Sequence, residues 1–310
     1  MVPRPRERLC QPGPPGKRRR AGLKPADHAP VPSSRNIDPQ VVASFGREWQ
    51  AFDQSTESAE ELQRIFNTYF NIFPWDSLPK GAAGFDLGCG TGRWARFVAP
   101  RVGKLHCIDP SAALEVARRD LREFPNVVFH HAAVDAIPLP NASMDFGYSL
   151  GVLHHVPDTA AGIAACAGKL KPGAPFLVYL YYDFENRPLW FRALWRTSDL
   201  FRRAVCRLPF WAKRGVSELA AATVYWPLAK LAAGLEKMGK NVTNLPLATY
   251  RTRSYYQMRT DALDRFGTSL EKRFSRAGIA AMFERAGLEG IHFSEHAPFW
   301  CAVGFRKKLS

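Results

Sequence analysis

The chain has 310 residues, 46% of them apolar, enough to bury the core of one large domain or two small ones. Its net charge of +15 is uneven: residues 1–35 hold nine Lys/Arg against two Asp/Glu, residues 36–150 ten against fourteen, and residues 151–310 twenty-four against twelve. No apolar run approaches the roughly 18 residues of a membrane span, no apolar stretch follows the basic start as a secretory signal requires, and six scattered cysteines without a CxxC pair argue against zinc or a disulfide framework and for a reducing cytosol.

In chain order, residues 1–35 are rich in Pro, Gly and Arg and lack periodicity, which predicts a disordered tail. Its Lys17–Arg20 run reads either as a nucleic-acid or localisation patch or as a dispensable extension. Residues 36–80 read as a helical segment, through VVASFGREWQAF and ELQRIFNTYF. Residues 81–182 then alternate. Strand GAAGFDLGC leads to helix TGRWARFVAPR, strand KLHCID to helix SAALEVARRDLREF, and strand NVVFHHAAV to strand MDFGYSLGVL. A helix from Asp158 to Leu170 follows, and LKPGAPFLVYLYY turns on Pro172-Gly173 into a fifth strand. This alternation predicts an α/β fold with a parallel sheet covered on both faces. Residues 183–273 break the pattern and are too long for an ordinary connection. They predict a helical cap inserted after the fifth strand, at the carboxyl end of the strands, where ligands bind in open α/β sheets. Residues 274–310 close the core with helix SRAGIAAMFERAGL and a hairpin of GIHFSEH and FWCAVGFRKK.

The chemistry concentrates after the first strand, in FDLGCGTGRW. Its spacing is Gly88-x-Gly90-x-Gly92, with Asp86 two residues ahead. A dinucleotide fingerprint places its third glycine at position 93, which is Arg93 here, and no GK[ST] follows as a nucleotide-triphosphate loop needs. Asp109 ends the second strand, where a carboxylate accepts from both hydroxyls of a ribose. Asp135 follows the third, where it can reach an adenine amino group. The alternatives are a helix N-cap for Asp109 and a turn residue for Asp135.

Together these residues carry a resemblance. Residues 84–182 resemble the class I S-adenosylmethionine-dependent methyltransferases, in the broad group that includes the ubiquinone and menaquinone biosynthesis enzymes. DLGCGTG matches the first family motif and Asp109 the second. VDAIPLPNASMDFGYSLGVLHHVPD matches the acid, strand and paired-histidine pattern, and LKPGAPFLV the turn before the fifth strand, with Ala174 in place of a glycine. The resemblance implies a Rossmann-like seven-stranded sheet and S-adenosyl-L-methionine as cofactor. It implies that Asp86 holds the methionine ammonium, that Gly88, Cys89, Gly90 and Gly92 pass close to it, and that Asp109 holds the ribose. Asp135 with Ala136 would hold the adenine, and Leu150, Gly151 and His154 would lie beside the sulfonium.

Methyl transfer from a sulfonium needs alignment and exclusion of water, and for a phenol or acidic carbon also a proton acceptor. His154 and His155 are candidates for that base, with a packing or cofactor-wall role as the alternative. Tyr181, Tyr182, Asp183 and Asn186 either stand where an acceptor would touch the end of the fifth strand or form a strand-end aromatic cluster with an N-cap. In the insertion, stepping about 100° per residue puts Trp190, Leu194, Thr197, Phe201, Ala204, Val205 and Leu208 on one face and five arginines opposite. Residues 188–208 therefore read either as a lid helix packing its apolar face over the site or as a peripheral contact with an anionic membrane. The reading that follows is a cytoplasmic methyltransferase acting on an apolar or aromatic small molecule, a quinone, lipid-linked or secondary-metabolite type. An RNA methyltransferase using the basic tail and C-terminal half is the rival. The acidic balance of residues 36–150 and the SLGVL end of the fourth strand weigh against it. A cofactor-binding partner without catalysis is a third reading.

Overall fold

The computed structural model describes residues 35–51 (47–51 by backbone alone), 59–185 and 187–308. Residues 1–34 of the predicted N-terminal tail, and Asn186, lie outside the described residues. Helices α1 (Pro39–Ala51) and α2 (Ala59–Phe70) lead into β1 (Ala83–Leu87), α3 (Ala95–Val98), β2 (Lys104–Ile108), α4 (Ala113–Asp120), β3 (Val127–His130) and β4 (Phe146–Leu150). Next come α5 (Thr159–Ala167) and β5 (Pro175–Tyr179). Helices α6 (Leu189–Val205), α7 (Phe210–Ala220), α8 (Trp226–Lys237) and α9 (Tyr255–Gly267) form the insertion, and α10 (Arg276–Arg285), β6 (Leu288–Phe293) and β7 (Cys301–Arg306) close the chain.

The seven strands form one sheet in the order β3-β2-β1-β4-β5-β7-β6. The first five pair in parallel and β7 runs antiparallel between β5 and β6. Strand order therefore reverses between β1 and β4, and the crevice of a doubly wound sheet opens at such a point, beyond the carboxyl ends of the strands.

Alternation along each strand sends side chains to two separate cores. Phe85, Leu87, Ile108, Phe176 and Val178 pack on one face with Ile163 and Phe283. Cys107, Phe146, Tyr148 and Leu177 pack on the other with Phe66, Phe70 and Trp94. The register pairs Asp86 with Cys107 on one side and Tyr148 on the other, so period two puts this acid on the second face, among apolar neighbours.

The insertion is helical, with its own small core of Val205, Ala221, Tyr225, Met258, Ala262 and Phe266. Helix α6 corrects the lid reading of its face. Its buried side is Asp199, Arg202 and Val205, while Trp190, Leu194 and Phe201 point outward. Polar contacts hold that buried side: Arg202 Nε lies 2.6 Å from Asp199 Oδ1, and its guanidinium donates to the Thr268 carbonyl at 2.8 Å.

Candidate functional site

A cavity of about 370 Å³ opens at the β1/β4 switch point. One wall is the loop after β1. Gly88, Gly90 and Gly92 all have positive φ, at +76°, +55° and +80°. Chain direction is reversed here by backbone contacts, Gly88 N–H to the Ile108 carbonyl at 2.7 Å and Gly92 N–H to that of Cys89 at 2.8 Å. A Cβ on Gly88 would stand 2.3 Å from Val152, and one on Gly92 2.6 Å from Leu121. These two glycines are thus required by turn geometry and by packing. Gly88, Cys89 and Gly90 line the cavity and Gly92 does not.

Asp109 lines the same wall and ties the two loops together. Its Oδ2 accepts from Gly90 N–H at 2.9 Å, and its Oδ1 from the Ser111 N–H at 2.8 Å and hydroxyl at 2.6 Å. Burial raises its pKa, and the bonds from Ser111 and Gly90 oppose that. Asp86 sits behind the glycine loop, buried, with Oδ2 lacking any hydrogen bond. Burial pushes its pKa up to about 8, with the nearby Tyr148 hydroxyl pulling down and the Asp109 charge adding to the rise. A buried carboxylate oxygen without a partner is costly unless a cation or donor meets it. Asp86 itself is not among the cavity-lining residues, whereas Asp109 and the apolar run Ala132, Ala133 and Val134 are, a wall that fits a ribose and a flat ring.

Two sequence assignments are corrected here. Asp135 and Ala136 are exposed and outside the lining, because β3 ends at His130 and the chain turns away earlier than predicted. Asp135 Oδ2 instead accepts from the N–H groups of Arg35 and Asn36, at 2.8 and 3.1 Å. The Asn36 side chain in turn exchanges two hydrogen bonds with the Asp158 backbone, at 2.8 and 2.7 Å. This anchorage presents Asn36, Ile37, Val41 and Phe45 to the cavity.

The second correction concerns the histidine pair. His154 is fully buried, lies outside the lining and stacks on Tyr181 with ring centroids 3.8 Å apart. Burial, then the charges of His155 and Arg273, hold its pKa well below the usual histidine value, so it is a neutral packing group. His155 lines the cavity. Its Nδ1 is 2.7 Å from the Leu270 carbonyl, an acceptor only, so Nδ1 carries the proton and Nε2 the lone pair. Nε2 is buried without a hydrogen bond, 3.9 Å from Asp264 Oδ1. The other oxygen of Asp264 accepts from the Tyr181 hydroxyl at 2.6 Å. Burial raises the Asp264 pKa, opposed by His155 and Tyr181.

Tyr181, Tyr182, Leu150 and Gly151 all line the cavity, and Asp183 does not. Burial drives the Tyr181 pKa well above the ordinary phenol value, which makes it a neutral donor. Two further lining residues, Asp261 and Asp264 of α9, are not singled out by sequence reasoning. Asp261 accepts from the Tyr250 hydroxyl at 2.9 Å, and burial lifts its pKa to about 6 against the pull of Tyr250 and Arg93. Their signal in the chain is two acids three apart in RTDALDRF, which also describes a solvated helix face.

Residues 85–173 match a family model described as a methyltransferase domain. The ubiquinone biosynthesis O-methyltransferase of Albidiferax ferrireducens is 30% identical over 170 residues, 52% of this chain and 64% of that protein. The protein of the same name from Acinetobacter baylyi is 32% identical over 165 residues, 50% of this chain and 66% of that one. The chain thus spans slightly under two thirds of these relatives. Among solved structures, an O-methyltransferase family protein from Burkholderia thailandensis shares the fold, with a TM-score of 0.51, 14% identity, and coverage of 87% of this chain and 64% of that one.

Proposed function

We propose that this chain, which carries a class I S-adenosylmethionine-dependent methyltransferase domain, methylates an oxygen or acidic carbon of an apolar or aromatic small molecule. The observation that carries the reading is one cavity with two unlike walls: the glycine loop and Asp109 on one side, the His155–Asp264 pair amid tyrosines on the other.

The cofactor supplies a methyl group already activated on a sulfonium, so the protein's work is binding, alignment and proton handling. Asp86 and Asp109 bind the cationic and ribose ends. Tyr69, Tyr179, Tyr181 and Tyr182, with Trp94 and Phe45, give the cavity an aromatic lining that excludes water and suits a flat acceptor. His155 Nε2 takes the proton that the acceptor loses, and Asp264 stabilises the imidazolium so formed. The Leu270 carbonyl keeps Nδ1 protonated and leaves Nε2 ready for that role. The relatives named as O-methyltransferases support an oxygen acceptor, and an RNA acceptor is not favoured by them.

The test is methyl transfer from methyl-labelled cofactor to a panel of hydroxylated aromatics, with total RNA as the competing acceptor. Label in a phenol, lost in His155→Gln, is the expected result. Label appearing in RNA alone would overturn the acceptor assignment.

A further inference from the structure

Helix α6 shows an unusual surface. Leu189 is 79% exposed, Leu200 67%, and Trp190, Leu194 and Phe201 each more than half. At 3.6 residues per turn these five fall within about 140° of arc. Only the small residues Ala193, Thr197 and Ala204 lie between them, and all three are exposed. The stripe continues in kind on the following helices, where Trp211 is 77% exposed and Trp226 and Leu231 about half. Isolated exposed apolar side chains need no explanation, but a continuous stripe along a 17-residue helix marks an interaction surface.

Charge says what kind. Residues 188–240 contain ten Lys/Arg and three Asp/Glu. Each of those acids is already taken by an arginine: Asp199 by Arg202 and Arg203, Glu218 by Arg259, and Glu236 by Arg251. Arg196, Arg203 and Arg207 are exposed and border one edge of the stripe. Apolar residues including tryptophan, edged by cations and with every acid neutralised, match the boundary between acyl chains and anionic headgroups. No helix among the described residues is long and apolar enough to cross a membrane, so the contact is one of lying on the surface.

We infer that α6 docks this protein onto an anionic lipid bilayer, the apolar stripe entering the headgroup–acyl boundary and the arginine edge meeting the phosphates. The inference stands apart from the acceptor assignment, although the two meet structurally. Beneath α6, the rings of Trp195 and Phe191 lie 5.5 and 5.3 Å from Phe184, which lies 4.6 Å from Tyr182 in the cavity wall.

The test is co-sedimentation of the full chain with vesicles of phosphatidylcholine alone or mixed with phosphatidylglycerol, over a salt series. Tenfold or more preference for the anionic vesicles is expected, weakening with salt. Two variants locate the contact: a Trp190→Ser, Leu194→Ser, Phe201→Ser triple, and Arg196→Glu with Arg207→Glu. Because the Phe201 ring lies 5.6 Å from that of Phe266, thermal unfolding is measured for each, and a Trp190→Ser, Leu200→Ser pair at positions more than half exposed repeats the test without that contact. The triple variant should lose about tenfold or more in binding, whereas attraction through the basic N-terminal residues alone would leave it unaffected. Binding that ignores the serine substitutions would overturn the inference. So would a wild-type dimer in solution that the same substitutions convert to monomer, since the stripe would then belong to a second copy of the chain.

Discussion

The loop wall of the cavity closes its polar contacts over short stretches of chain, as with Gly90 and Asp109, which are nineteen residues apart. The opposite wall joins Tyr181 to Asp264 across 83 residues and His155 to the Leu270 carbonyl across 115. In the first wall, backbone geometry makes the site, and glycines at positive φ cannot be exchanged without strain. In the second, side chains from three separate segments meet, so the insertion can change without disturbing the sheet. The division suits a fold that keeps one cofactor and varies its acceptor.

Breaking the second wall should have the largest effect on rate. His155→Gln is expected to lower kcat by about 10²–10⁴-fold while cofactor affinity stays within about twofold, measured by single-turnover transfer and by titration. A matching loss of affinity would mean that the walls are not separable. Next in size is Asp109→Ala, which removes the acid proposed for the ribose and breaks the tie between loops. It should weaken cofactor binding by about 10–100-fold in equilibrium titration, the range of hydrogen bonds to a charged group.

Gly92→Ala tests whether the first wall is rigid. Positive φ and the approach to Leu121 together should cost about 2–4 kcal/mol, seen as a lower midpoint in denaturant unfolding. A smaller effect is tied to pH. Burial pushes the Asp86 pKa up to about 8, far above its ordinary 3.8. The folded form therefore holds this proton more tightly than the unfolded chain. Its stabilising contribution is complete below about pH 4 and is lost as pH rises through 8. Asp86→Asn should accordingly unfold at a higher temperature than wild type at pH 9, by the equivalent of about 1 kcal/mol or more, with the gap closing toward pH 5. A gap that widens in acid would contradict the assignment. Smallest is Asp135→Ala, expected to leave cofactor affinity within about twofold and to cost about 1 kcal/mol through release of the Arg35 and Asn36 N–H groups.

The same contrast between local and long-range contacts decides which parts of the molecule are legible in the amino-acid sequence. Strands β1, β2 and β4 are short runs stopped by Gly88, Asp109 and Gly151, and β5 opens just after the Pro172-Gly173 turn, so their order and the glycine loop can be read directly. Strand β3 sits at the sheet edge with β2 as its single partner, and NVVFHHAAV leaves the sheet at His130 although its residue types would continue. After that early departure Asp135 is exposed and outside the cavity lining. His154 and His155 share a 3₁₀ turn, where neighbouring side chains diverge by about 120°, so residue type alone does not say which faces the cavity. In α6 the period reveals two faces, but which one turns inward depends on Asp199 and Arg202 pairing beneath it. Asp261 and Asp264 acquire meaning only when α9 folds over the sheet.

The proposed cofactor role of Asp86, buried behind the glycine loop with Oδ2 lacking a hydrogen bond, is the part of the reading most open to direct test. Calorimetric titration of S-adenosyl-L-methionine into wild type and Asp86→Ala, with NADH as control, tests that role. Micromolar binding by the wild type, lost in the variant and absent for NADH, is the result expected. Binding of NADH, or equal affinity of both proteins for S-adenosyl-L-methionine, would contradict it.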